Sequence, residues 1–268
     1  MKGRHATPAI ACLPAGAVGC GGAVHPAGRG ATVHICDDDA EWPPYLYYQR
    51  QDGRKGAPVR GYSADVVAAI FARHGTAYSI ELLPWKRCLQ ELRVGTRYQM
   101  LLSASSNPER EAEFLLSRPY YTTHDHYFYS RRAHPHGLAL RRPADLNRYA
   151  LGGISGYANS QLEGVDKTAM IRTGNYVALV NMLRLGRGEV FAEDIEVIDG
   201  MSRLGIRDFA DTADLAHAPL PETAPNTFHM MFSKSAPLGS ALKDLIDGEL
   251  AAMEKSGELR RLLARNQQ

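Results

Sequence analysis

Long apolar runs are missing from this chain. Nowhere in its 268 residues do eighteen apolar side chains follow one another, so no segment reads as a membrane-spanning helix. An excess of one charge is lacking too: 31 Lys and Arg face 29 Asp and Glu, for a formal net charge of +2. No basic face or aromatic-basic repeat marks a nucleic-acid partner, and the pairs Arg131-Arg132 and Arg141-Arg142 read as solvated. Cysteine is scarce, with Cys12 and Cys20 in the first thirty residues and only Cys36 and Cys88 beyond them. Two cysteines without partner ligands at finger-like spacing argue against a zinc site. The chain also lacks a glycine-rich phosphate loop, a Ser-His-Asp order and a pair of carboxylates at catalytic spacing, so no cofactor is expected.

What is present is enough apolar content, 44%, to pack one large domain or two of ordinary size. Residues 1–30 are rich in Ala, Gly and Pro, carry Lys2 and Arg4, and have an apolar centre from Ala6 to Val18. That pattern reads as a secretory signal peptide, with Ala15-Gly-Ala17 offering small residues for cleavage. Pro8, Pro14 and Gly16 interrupt the centre, so a plain leader or a misassigned start competes with it. Ala17-Val-Gly-Cys20 is a weak lipoprotein box that would put a lipid anchor on Cys20, against simple cleavage.

Beyond the leader the hydrophobic periods alternate. Thr32–Cys36 reads as a strand, and Gly61–His74 has helical spacing through Tyr62, Val66, Val67, Ile70 and Phe71. Ser79–Leu83 is the next strand, Leu89–Val94 a short helix closed by Gly95, and Gln99–Leu102 a third strand. This is a β-α-β-α-β unit with a parallel sheet. A second set runs through Ala150–Ile154, a helix over Tyr176–Leu185, Val190–Ala192 and a strand near Arg207–Phe209. Thr227–Ser233 alternates as a strand, and Leu238–Leu263 reads as an amphipathic helix. The class is α/β.

The segment Ser103-Ala-Ser-Ser-Asn-Pro-Glu-Arg110, followed by Ser117-Arg-Pro-Tyr-Tyr121, sets one arginine just past a buried strand and a Ser/Asn turn. A guanidinium there can grip a carboxylate through two parallel hydrogen bonds. The same residues also read as a plain helix start, capped by Ser106 or Asn107 with Pro108 in the first turn. Other segments stand around it in order: Trp42-Pro-Pro-Tyr45, Gly61-Tyr-Ser-Ala-Asp65, Pro84-Trp-Lys-Arg87, Gly152-Gly-Ile-Ser-Gly-Tyr157 and Gly186-Arg-Gly-Glu-Val-Phe-Ala-Glu-Asp194. Together they resemble the bacterial extracellular solute-binding proteins of family 3, the polar amino acid type that serves ABC importers. The resemblance covers about residues 31 to 265.

It implies a two-lobed periplasmic-binding-protein fold of type II, each lobe a mainly parallel sheet flanked by helices, joined by two hinge strands near His126–Arg131 and Thr223–Phe228. After a leader at 1–30, lobe one would take residues 31–128 and 227–268, and lobe two residues 129–226. The ligand would lie between the lobes, at the strand C-termini where open α/β sheets place their sites. The resemblance assigns the ligand's α-carboxylate to Arg110 and its α-ammonium to Asp194. Asp194 also reads as the cap of a helix starting at Ile195. Trp42 and Trp85 would cover the ligand, although Trp42 can also pack on Pro43 and Pro44. Gly156 and Tyr157 would donate backbone N-H groups from a turn at a helix start, and Ser103 and Ser105 would add polar contacts.

In such a fold the strands ending at Cys36 and before Cys88 are neighbours, and an exported protein admits a disulfide between the two; two separate buried thiols are the competing reading. His124-Asp-His126 puts two imidazoles on one strand face, which reads as a polar face near the hinge in preference to a metal site. The function implied is that of a monomeric periplasmic protein handing a polar amino acid or similar small zwitterion to an ABC permease in the inner membrane. Two other classes share the fold: prephenate- or arogenate-type dehydratases, for which Glu193, Asp39 or His126 would have to serve as acid or base, and permease-free sensory binding modules.

Overall fold

Val33, Ile35 and Cys36 are fully buried in the first strand, β1 (Val33–Asp38), which lies inside a sheet. The structure, a computed structural model, describes residues 32–51, 54–205 and 214–268. The leader, Cys12 and Cys20, and the strand expected near Arg207–Phe209 lie outside the described residues. After β1 come the hairpin of β2 (Tyr47–Gln51) and β3 (Arg54–Arg60), then α1 (Tyr62–His74), β4 (Tyr78–Leu83), α2 (Trp85–Val94) and β5 (Met100–Ser105). Helix α1 buries Tyr62, Val66, Val67, Ile70 and Phe71, the spaced set expected from sequence, and stops at Gly75 with φ +59°. A left-handed residue there releases the chain at the cost only glycine escapes. Helix α2 starts at Trp85, one turn earlier than its apolar pattern suggests, because Trp85, Cys88 and Leu92 form its buried face while Lys86 and Arg87 point outward.

The chain continues through α3 (Pro108–Glu113), β6 (Phe114–Leu116) and β7 (Tyr121–Thr123) and then changes sheet. There follow β8 (Asp125–Ser130), a 3-10 turn at Pro143–Arg148, β9 (Leu151–Ile154), β10 (Ile171–Thr173), α4 (Tyr176–Arg184), β11 (Val190–Asp194), α5 (Ile195–Arg203) and β12 (Leu215–Pro219). It returns as β13 (Asn226–Ser233) and closes with the helices we call α6 (Gly239–Lys255) and α7 (Glu258–Asn266). The single helix expected over Leu238–Leu263 is broken at Gly257, whose φ of +72° ends one helix and opens the next.

The first sheet has the order β4-β1-β5-β13-β6, with β7 also on β13; the second has the order β10-β9-β11-β8-β12. Within each, the β-α-β strands pair in parallel, and the strands beside the crossings, β13 and β8, run antiparallel. Strand β8 pairs on both sides, with β11 and β12. The outward crossing therefore sits at His124, a few residues before the expected hinge at His126–Arg131, and the return occupies residues 220–225. Cys36 within β1 is bonded to Cys88 in α2, with 5.7 Å between Cα atoms. The bridge joins the elements that carry Asp37, Asp38 and Trp85. Among the described residues no helix is long and apolar enough to cross a membrane.

Candidate functional site

The C-terminal ends of β1 and β5 face those of β9 and β11 across a cleft with an empty volume of about 570 Å³, solvent at its mouth included. Its walls hold one cation, Arg110, and four acids, Asp37, Asp38, Glu193 and Asp194.

Local sequence explains how Arg110 comes to face the cleft. Strand β5 ends at Ser105, the Asn107 side chain accepts the Arg110 backbone N-H at 2.8 Å, and Pro108 occupies the first turn of α3. The helix start expected there is present, with Asn107 as its cap. The guanidinium is 7% exposed. Its Nη1 donates to the Ser105 carbonyl at 2.8 Å and the Ser105 hydroxyl at 3.0 Å, and its Cζ stands 5.3 Å from the Trp85 ring centre. Among the described residues no carboxylate pairs with it. Burial pulls its pKa below the ordinary arginine value. A desolvated cation with donors to spare is costly unless an anion compensates it.

The acids are buried as deeply. Asp37 is absorbed by the backbone, accepting the N-H groups of Asp38 at 2.8 Å, Leu102 at 3.0 Å and Ser103 at 2.9 Å, which locks β1 to β5. Asp38 accepts the Ala40 N-H at 3.0 Å and the Tyr157 hydroxyl at 2.8 Å. Asp194 stands at the N-terminal boundary of α5 without capping it; it accepts the Thr123 hydroxyl at 2.7 Å and the Asn226 amide at 2.8 Å instead. Glu193 accepts the Tyr176 hydroxyl through Oε2 at 3.2 Å, while its buried Oε1 has no partner. Desolvation pushes the Asp37 and Asp194 carboxyls up to about 7 and Asp38 up to about 6, and drives Glu193 well above the ordinary glutamate value. A site of this kind holds protons until a cation displaces them.

Aromatic rings fill the space between the acids. Trp42 lies 5.9 Å from Tyr157, 6.3 Å from Tyr176 and 5.5 Å from Phe228 between ring centres. Phe228 continues a stack through Tyr121 to Tyr45, at 4.8 and 4.0 Å. The indole N-H groups of Trp42 and Trp85 are buried without partners, two more donors that a ligand would satisfy.

The structure places Arg110, Asp194, Trp42, Trp85, Ser103, Ser105 and Tyr157 around this one cleft, whereas Gly156 lines a second pocket, with Lys86, Arg93 and Arg172, that shares Arg110 and Tyr157 with the first. Several act otherwise than the sequence suggested. No helix starts at Gly156; residues 155–156 are a turn, and the Tyr157 N-H is spent on the Ile154 carbonyl at 3.2 Å. Tyr157 offers its phenol instead. Ser105 anchors Arg110, and Ser103 lies 3.3 Å, Oγ to Oγ, from Ser63. Sequence reasoning missed Asp38, Asn226 and Phe228 and treated Glu193 only as a candidate acid. The Asp37-Asp-Asp39 run was the available signal for Asp38. Of the two imidazoles on the His124 strand, one pairs with Glu196 at 2.6 Å and the other, His126, with His217 at 2.9 Å. No group of three or more metal-ligating side chains is arranged around a common point among the described residues.

Comparisons with known proteins agree with this geometry. The profile described as bacterial extracellular solute-binding proteins, family 3, matches residues 35–267. No curated protein matches by sequence. Among solved structures, the amino acid ABC transporter substrate-binding protein AbpA from Streptococcus pneumoniae, bound to L-arginine, is 19% identical with a TM-score of 0.69, over 88% of this chain and 94% of that one. EhuB in complex with hydroxyectoine is 22% identical with a TM-score of 0.71, over 88% of each chain. ArtJ from Geobacillus stearothermophilus, an arginine-, lysine- and histidine-binding protein, is 18% identical with a TM-score of 0.68, over 88% of this chain and 94% of that one. At these identities the likeness establishes the fold, a two-lobed α/β binding-protein architecture.

Proposed function

The chain belongs to the bacterial extracellular solute-binding proteins of family 3, and from that premise we propose that it captures an amino acid or similar small zwitterion between its lobes and delivers it to an ABC permease in the inner membrane. The observation that carries this reading is the buried, unpaired Arg110 facing the buried Asp194 across the cleft, one on each lobe. A zwitterion bridging the two satisfies both, so its affinity for the closed arrangement exceeds its affinity for an open one, which is what drives closure. The crossings at His124 and at residues 220–225 are the hinge of that motion. Trp42, Trp85 and Phe228 cover the ligand. The protein acts as a monomer in the periplasm, exported by its leader. The dehydratase alternative would have Glu193, whose Oε1 is free in the cleft, move a proton to or from substrate, while His126 is paired with His217; the family profile over residues 35–267 is one of binding proteins and weighs against it. Binding without turnover is therefore the reading favoured here.

The test is calorimetry of the purified protein against a panel of L-amino acids, with Arg110→Ala and Arg110→Lys alongside. Loss of the buried charge pair should weaken the best ligand by on the order of a hundredfold, and lysine should not rescue it because it has no fork. Unchanged affinity in Arg110→Ala, or no binding by any amino acid, would refute the assignment.

A further inference from the structure

A single zwitterion leaves this cleft out of balance. Its walls carry one guanidinium and four carboxyl groups. Asp37 is accounted for by its three backbone N-H donors, the ligand carboxylate by Arg110, and the α-ammonium by Asp194. Asp38 and Glu193 remain, one on each lobe, with no cation. Neighbouring charges do not supply one. Lys55, the cation nearest in effect to Asp38, is held by Glu41 at 2.8 Å. Arg172, the one beside Glu193, donates to the Ile154 carbonyl at 3.1 Å and the Asn159 side chain at 2.9 Å, and Asp194 and Asp125 add only negative charge there.

Resting on the amino acid reading above, we infer that the ligand carries a second cationic group beyond its α-ammonium, as a basic α-amino acid does, and that Asp38 and Glu193 receive it. The two carboxylates are held by Tyr157 and Tyr176, hydroxyl to oxygen at 2.8 and 3.2 Å. Those rings stand 6.4 Å apart, with Trp42 against both. The three rings pack edge-on and tilted against one another, with the two carboxylates at their margin, an aromatic and anionic surround suited to a guanidinium or ammonium. The independent mark of a missing partner is Glu193 Oε1, a buried oxygen of a side chain only 3% exposed, with nothing bonded to it. Burial raises both carboxyls, Asp38 to about 6 and Glu193 well above the ordinary glutamate value, so each gains from a cation beside it. Similar structures hold arginine in one case and hydroxyectoine in another, so the fold does not select the ligand. The charges in this cleft do.

The experiment compares L-arginine with L-citrulline, its uncharged counterpart of the same shape, and with agmatine, which lacks the carboxylate, by calorimetry on the purified protein. Arginine should bind on the order of thirtyfold more tightly than citrulline, the factor of one charge-assisted hydrogen bond in a desolvated site. Glu193→Gln should shrink that ratio severalfold by weakening arginine more than citrulline, a change that mere loosening of the fold would not produce; Asp38→Asn is the second variant should the first fail to fold. Citrulline or glutamine binding as tightly as arginine would overturn the inference and leave the amino acid reading standing. Agmatine binding in preference to arginine would refute the carboxylate role of Arg110, and with it the amino acid reading on which the inference rests. Absence of binding by every amino acid would refute the amino acid reading, and this inference with it.

Discussion

The hydroxyl of Tyr157, on the second lobe, donates a 2.8 Å hydrogen bond to the carboxylate of Asp38, on the first. If the lobes separate on ligand release, this contact is expected to break. Tyr157→Phe should therefore weaken ligand binding by about ten- to a hundredfold, the effect of roughly 1.5–3 kcal/mol, while thermal unfolding of the unliganded protein changes little. Calorimetry and a melting curve separate the two; an affinity equal to wild type would show that the bond plays no part in closure.

Gly200 of α5 provides a second probe of closure. A Cβ added there would come within 2.5 Å of the Pro43 carbonyl oxygen, on the opposite lobe. Inside its own helix alanine is the better residue, by about 1 kcal/mol. Gly200→Ala should thus leave the open protein at least as stable and hold the lobes apart, lowering affinity by about tenfold or more. Small-angle scattering is expected to show less compaction at saturating ligand than in wild type.

Affinity should also fall in acid. Folded-state values near 7 for Asp194 and near 6 for Asp38 mean that both carboxyls take up protons between neutral pH and pH 5.5. A cation must displace those protons, so binding releases them and weakens by on the order of thirtyfold or more from pH 8 to pH 5.5. Asp125, Glu193 and the His124-Glu196 pair surround Asp194 and shape the curve. The sign for stability is opposite. Because folding raises these carboxyl values above those of the unfolded chain, their contribution to the unliganded fold is present below about pH 4 and is lost as pH rises through 6 and 7. Calorimetry in buffers of differing ionisation enthalpy counts the protons directly; a flat profile would contradict the assignment.

The bridge between Cys36 and Cys88 closes a loop of 52 residues. Chain entropy alone assigns such a crosslink about 4 kcal/mol. The double substitution Cys36→Ser with Cys88→Ser should lower the urea midpoint accordingly, and it should loosen the site, since Asp37, Asp38 and Trp85 ride on the joined elements.

Local periodicity carried much of the architecture. The set Tyr62, Val66, Val67, Ile70 and Phe71 announced α1, and Gly95 marked the end of α2. The order of short motifs pointed to the family and, within it, to Arg110 and Asp194. What stayed hidden depends on distance along the chain. Asp38 and Tyr157 meet across a separation of 119 residues, and nothing near either position shows that a turn-like aspartate is buried against a phenol. Glu193 reads as an ordinary polar residue at a strand end until β8 and β9 are seen to enclose it. The early start of α2 was masked by Lys86 and Arg87, whose outward charges interrupt the apolar run that Trp85 begins.

The position of β13 has a consequence for the order of assembly. Residues 226–233 lie between β5 and β6, in the middle of the first sheet, yet they are made after the whole of the second. As the chain emerges N-terminus first, strands β8 to β12 form a contiguous unit that can pair as soon as it is complete, whereas the earlier-made strands wait for a central neighbour separated from them by more than a hundred residues. Such long-range pairing is slow. The lobe that is synthesised first is thus finished last, and the cleft, whose wall includes Asn226 and Phe228, cannot take a ligand from a nascent or partly translocated chain.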